Sequence, residues 1–192
     1  MSKNYSLNAT PPNEQRIPEY VRDDDWIRSF LQQARIGRIA TRWEGQPFIT
    51  PSAFWYEEER NEIIFHSNIV GRVRANIENH EQVCFETSKS GDFLPSNVAM
   101  EFTVQYAGVI AFGKACVIEE SEAKRRGLYG LIRKYHPGME VGEEYRPITD
   151  EELASTSVYA IKIESWSGKE NWPERAEQSD EWPALGEKKV GL

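Results

Sequence analysis

The sequence predicts a mainly β (α+β) fold: an antiparallel β-barrel of at least six strands with about three peripheral helices. Three observations point there. Apolar runs of strand length recur between turn-forming residues. Helical patterns are few and do not alternate regularly with the strands, which removes a doubly wound parallel sheet. The 192-residue chain is 11% aromatic, too rich in large apolar rings for a disordered polymer.

Residues 1–20 are polar and carry Pro11, Pro12 and Pro18, so they read as an extended arm. Asp23, Asp24 and Asp25 offer a cap and negative charge at a helix start, where backbone N–H groups lack partners. Trp26, Ile27, Phe30, Leu31 and Ala34 follow at helical spacing, and Gly37 is the expected stop. Residues 38–43 form a strand, 44–47 a turn and 48–56 a second strand. Pro51 inside the second strand cannot donate to a ladder, so an edge, a bulge or a ligand is expected there. Residues 57–61 are a hairpin loop, 62–67 a third strand, 70–78 a helix and 82–87 a fourth strand. Residues 88–98, rich in Ser, Gly, Asp and Pro, read as a loop before a long β stretch at 100–118, in which Gly108 and Gly113 mark bends or bulges. A helix at 121–135 stops at His136-Pro137-Gly138, an acidic connection fills 139–155, and clean alternation marks a last strand at 158–164. The organisation is therefore an arm (1–20), one folded domain (21–172) and a polar C-terminal tail (173–192).

Charge and motifs narrow the function. A net charge of −8 argues against broad nucleic-acid binding, which needs clustered Lys and Arg. No apolar stretch reaches the ~20 residues of a membrane span, and the N-terminus lacks the apolar core of a secretion signal, so a cytoplasmic protein without membrane contacts is expected. Cys84 and Cys116 belong to no CxxC or Cys/His cluster; they read as two reduced core thiols, and no metal site is expected. GxGxxG, P-loop, HExxH and GxSxG patterns are absent, and with only three His the sequence has no evident hydrolytic constellation.

One segment stands out. His66 closes an apolar strand and is followed by Ser67, Asn68, Gly71 and Arg72 at a helix start. A forked guanidinium, small polar donors, a glycine and free helix N–H groups can together hold a phosphate. An ordinary strand-to-helix turn with a solvated Arg has the same pattern.

Phe65-His66-Ser67, Gly71-Arg72, Asn76-Ile77 and Val83-Cys84-Phe85-Glu86 succeed one another at fixed spacing. Upstream stand Ile36-Gly37-Arg38-Ile39-Ala40-Thr41 and Pro47-Phe48-Ile49-Thr50-Pro51; downstream, the stretch from Tyr106 to Ala115, Lys134-Tyr135-His136-Pro137, and Ile163 to Lys169. In this order, over about residues 23–172, the sequence resembles the pyridoxamine 5′-phosphate oxidase-related flavoproteins, and most closely their nitroimidazole-resistance-protein-like branch. The resemblance implies a split β-barrel that dimerises with itself and binds FMN at the subunit interface. It implies that Arg72 holds the FMN phosphate, with His66 and Ser67 beside the phosphate and ribityl chain, and that Phe65 and Val73 belong to the cofactor-binding set. Thr50, Pro51 and Ser52 would follow the isoalloxazine edge, and Trp166, Lys169 and Trp172 would approach from the other subunit. Val73 stands where relatives commonly carry Lys after the Arg, which leaves Arg74 or Lys169 as replacement cations. The implied activity is an FMN-dependent oxidoreductase passing reducing equivalents from a nicotinamide donor to a small-molecule substrate, a nitroaromatic compound among the candidates. A non-catalytic flavin store or sensor, or a related barrel binding haem or deazaflavin, is the alternative. Pyridoxal 5′-phosphate synthesis is not expected, because residues 166–172 lack an arginine-rich ending.

Overall fold

The computed structural model describes Gln15 and residues 17–185. A short strand β1 (Val21–Arg22) leads into helix α1 (Asp24–Gln33) and then β2 (Ile36–Trp43), β3 (Gln46–Ala53), β4 (Trp55–Glu57) and β5 (Glu62–Asn68). Helix α2 (Arg72–Asn79) precedes the long strands β6 (Gln82–Leu94) and β7 (Thr103–Ile118). Helices α3 (Ser121–Tyr135) and α4 (Asp150–Ala154) then lead to β8 (Thr156–Asn171). All pairings between these strands are antiparallel. The sheet order is β3-β2-β6-β7-β8-β5-β4, with β1 added along β8. The sheet curls until β3 and β5 approach each other again, giving the split barrel.

Side-chain alternation decides which face turns inward. Ile39, Phe85, Val109 and Ala111 point into the barrel, where Phe54 meets Phe85 edge-on at 4.8 Å and Phe65 stacks on Tyr159 at 4.7 Å. Helix α1 closes one side with Ile27 and Leu31. Its start is fixed by Asp23, whose Oδ1 accepts from the Trp26 N–H at 2.9 Å. In β5, the successive residues Ile63, Ile64 and Phe65 are all buried, as are Val158 to Ile161 in β8. Both strands lie between the barrel interior and α3, so alternation gives way to continuous apolar runs. Close approach of α3 requires its two buried glycines: a Cβ on Gly127 would meet Ile64 at 3.0 Å, and one on Gly130 would meet the Trp55 ring at 2.1 Å.

Several elements depart from the sequence expectation. Gly37 does not stop α1, which ends at Gln33; it lies in β2, where a Cβ would come within 2.2 Å of the Phe85 ring. The stretch expected as one strand over 48–56 breaks at Phe54, and Pro51 lies on β3, an end strand of the sheet order. Residues 88–94, expected as loop, extend β6: pairing with β7 overrides the local turn-forming composition, at the cost of a register shift between Ser90 and Phe93. A bulge falls at Phe112/Gly113, beside one of the two glycines expected to bend β7. The last strand runs from Thr156 to Asn171, two residues before and seven residues beyond the expected 158–164.

The acidic connection contains α4, started by a Thr149/Glu152 capping box. Arg146 and the Thr149 N–H together hold the Glu152 carboxyl down to about 2. Cys84 and Cys116 are not core thiols: alternation places both on the outward side of their strands, where Cys84 is half-buried and Cys116 exposed. Residues 173–185 pack along 95–98, where Ser96 donates to the Glu177 carbonyl (2.6 Å) and Asn97 to that of Ser179 (2.8 Å). At the other end Gln15 donates to Ser167 at 2.8 Å, and Pro18–Tyr20 make a single 3₁₀ turn. The rest of the expected arm, and residues 186–192 of the expected tail, lie outside the described residues.

Gly37→Ala is expected to destabilise the fold by about 1–3 kcal/mol, because the fully buried Phe85 ring has nowhere to move. Gly45→Ala, with open space around it, should stay within ~0.5 kcal/mol. Denaturant unfolding of the two variants checks the difference.

Candidate functional site

Thr50, Pro51 and Ser52 lie on β3, Phe65, His66 and Ser67 on β5 and Arg72 at the start of α2, and β3 approaches β5 across the split. Register places Thr50 opposite Ile39, Pro51 opposite Arg38 and Ser52 opposite Gly37. Opposed residues share a face, so Thr50 and Ser52 lie on the inward side and Pro51 on the outward side. The Ser52 hydroxyl donates to the Ala53 carbonyl at 2.9 Å.

On β5, Phe65 is a core residue stacked on Tyr159. Ser67 follows on the same face, its hydroxyl 2.8 Å from that of Tyr159 and donating to the Asn68 carbonyl at 3.0 Å. His66, between them, projects from the opposite face beside Val158. Its imidazole keeps an exposed edge, yet neighbouring atoms strip enough water to lower its pKa below the usual 6.5.

Helix α2 begins without a side-chain cap: its N-cap is Gly71, at φ 149° and ψ 174°. Arg72 occupies the first helical position and no acidic residue lies in the first turn. The Arg72 guanidinium carbon sits 5.7 Å from the Trp43 ring centroid and 5.2 Å from that of Phe48. It makes no ion pair among the described residues, unlike its neighbour Arg74. Val73 turns inward against the barrel core, so a Lys there would have to bury its stem. Arg74 is already engaged, donating to Glu78 at 2.7 Å, Ser157 at 3.0 Å and Glu119 at 3.2 Å.

Trp166 and Lys169 do not join this group within the chain. Trp166 faces α1, where its indole N–H donates to Asp24 at 2.8 Å and Arg28 lies over its ring at 5.4 Å. Lys169 lies on the outer face, with Nζ 5.2 Å from the Tyr106 ring centroid and 5.7 Å from that of Tyr20. It lines a shallow cleft of about 300 Å³ with Glu86, Ser88, Ile110 and Ser167. The residues that sequence reading missed are Trp43 and Phe48. The one local signal for them was an aromatic residue on each side of a tight turn.

With this arrangement in view, residues 23–170 match the family model described as pyridoxamine 5′-phosphate oxidase. The chain belongs to this family. Solved structures of the same fold include the flavocytochrome Anf3 of Azotobacter vinelandii, with a TM-score of 0.77 and 23% identity over 88% of this chain and 76% of that one. A second is the FAD and haem binding protein of Mycobacterium smegmatis (0.74, 22% identity, 83% of this chain and 76% of that one). A third, from Bacteroides thetaiotaomicron, is described as a 5-nitroimidazole antibiotic resistance protein (0.65, 22%, 78% and 85%). At these identities the likeness establishes the fold. Comparison with curated proteins finds no match. Among the described residues of this family member, no helix is long and apolar enough to cross a membrane.

Gly71→Ala should cost about 1–3 kcal/mol, because its backbone occupies a region essentially reserved for glycine; chemical denaturation measures it. His66 favours its neutral form in the folded state, so its contribution to stability falls as pH drops through 6.5 towards the depressed native pKa. An NMR titration should find the His66 midpoint below 6.5, and His66→Gln should flatten that part of the stability profile.

Proposed function

We propose that this family member is an FMN-binding flavoprotein, acting in the cytoplasm as a homodimer, that passes reducing equivalents from a nicotinamide donor to a small acceptor, with a nitroaromatic compound as one candidate. The observation that carries this reading is Arg72. A cation at the first position of a helix opposes the helix dipole. Here it also sits beside an uncapped N-terminus and has no carboxylate partner among the described residues. The surplus positive potential suits a phosphate dianion. Thr50 and Ser52, on the inward side of β3, supply polar groups along the same split, and Ser67 supplies a hydroxyl on β5. Bound FMN supplies the electron transfer chemistry itself; the chain binds, orients and shields it.

The outer face of the sheet supports the dimer. Ile49, Ala40, Cys84 and Phe112 are successive cross-strand neighbours over β3, β2, β6 and β7, and Ile110 continues the strip. Ile49 is 68% exposed in the single chain, and a partner packed on this strip would meet Lys169 on the same face. Two of the structural neighbours are described as carrying haem as well as flavin, so a haem-binding barrel is the second reading.

The absorption spectrum of the purified protein separates the readings: two broad flavin bands support the first, a single intense violet band the second. Titrating apo-protein with FMN should show Arg72→Glu weakening binding by about 10–100-fold, the size of a lost charge-assisted bond. Arg72→Lys should fall between, since the point charge remains and the fork is lost. Arg175→Glu, on an exposed tail residue, should match the parent. Equal affinity of the Arg72→Glu variant and the parent overturns the assignment. Bleaching of the bound flavin by NADH or NADPH supports turnover; a flavin that stays oxidised supports a store or sensor. Light scattering that returns a monomer mass with FMN present overturns the dimer.

A further inference from the structure

We infer that Trp43 and Phe48 are positioning residues for Arg72: the β2–β3 hairpin grips the guanidinium by its faces and leaves its edge free for a phosphate. This rests on the reading of Arg72 as an anion-binding residue and adds the device that fixes it in place.

A guanidinium is planar. All five of its N–H donors lie in the plane, and its faces carry none. Aromatic rings attract it through those faces when the centroid lies within ~6 Å. Arg72 meets two rings at such distances, 5.2 Å for Phe48 and 5.7 Å for Trp43, and its N–H groups find no carboxylate among the described residues. Arg74, two residues on, is held the opposite way, with its in-plane donors consumed by Glu78, Ser157 and Glu119. One arginine of α2 thus fastens the helix to the barrel, and the other keeps its donors.

The clamp is built on rigid parts. Phe48 stands opposite Thr41 in the β2–β3 register, and the Thr41 hydroxyl accepts from Asn76 of α2 at 2.9 Å. Asn76 is fully buried, so the hydrogen bond pins the hairpin to the helix whose first residue is Arg72. Trp43 closes the hairpin opposite Gln46, next to the turn in which Glu44 takes φ 51°. A long side chain in solvent would lose rotamer freedom on meeting its ligand; here much of that ordering precedes binding. The expected result is a preference for flavins that carry phosphate over the phosphate-free nucleoside.

The test measures affinities of the full-length protein for FMN and riboflavin by flavin fluorescence, and for inorganic pyrophosphate by calorimetry. Trp43→Leu together with Phe48→Leu should lower FMN and pyrophosphate affinity by about tenfold and leave riboflavin affinity unchanged. The thermal midpoint of each variant is recorded alongside. Trp43→Phe and Phe48→Tyr, which keep the rings, should restore the FMN preference. An unchanged FMN-to-riboflavin ratio in the double leucine variant overturns the inference, and so does an equal fall for both flavins. If the parent prefers neither FMN nor pyrophosphate, the reading of Arg72 fails and the clamp with it. If Arg72→Glu loses FMN while the leucine variants keep it, only the clamp fails.

Discussion

Burial of β8 on both of its faces is the constraint on which the rest of the structure depends. The strand pairs with β1, β5 and β7, so it joins the β5–β4 end of the sheet to the long β6–β7 pair. Its inner side contributes Tyr159, Ile161 and Ile163 to the barrel core, and its other side contributes Val158 and Ala160 to the cluster beneath α3. Removing that much apolar surface from water is the main favourable term in folding, and it acts from both sides of one backbone. Tyr159 then transmits the arrangement to the site: its ring stacks on Phe65 and its hydroxyl meets Ser67, so the end of β5 is set by the core. Arg74 reaches Ser157 on the same strand, which ties the first turn of α2 to the same reference.

The sequence made some of this legible because the signals were local. The bounds expected for α3 agree with the structure, since the apolar stripe and the His136-Pro137-Gly138 stop lie within the segment itself; the Glu120 side chain, which caps its start, is a finding of the structure. Asp23 was likewise readable as the cap of α1. The misses concern partners distant in sequence. Gly37 looked like a stop because the Phe85 ring that requires it lies 48 residues on. Residues 88–94 looked like loop because pairing with β7, not composition, makes them strand. Pro51 was legible as an edge or ligand position, and β3 is an end strand.

The site divides the same way. Arg72 stood out from a strand-end, glycine and helix-start pattern within seven residues, and α2 does begin with it. Its aromatic neighbours come from a hairpin 24 and 29 residues earlier, and no spacing rule connects them. Trp166 and Lys169, three apart on a strand, fall on opposite faces, so one turns to α1 and the other to the outer surface.

The outward placement of the two thiols has a chemical consequence. Burial against neighbouring atoms, with Glu86 near Cys84 and Glu62 near Cys116, pushes both thiols above their usual range. Around neutral pH they are protonated, and the protonated form is the poor nucleophile. Burial and a nearby carboxylate thus bias each sulfur, on the outward side of the sheet, towards the thiol form, which is the slower partner in disulfide exchange.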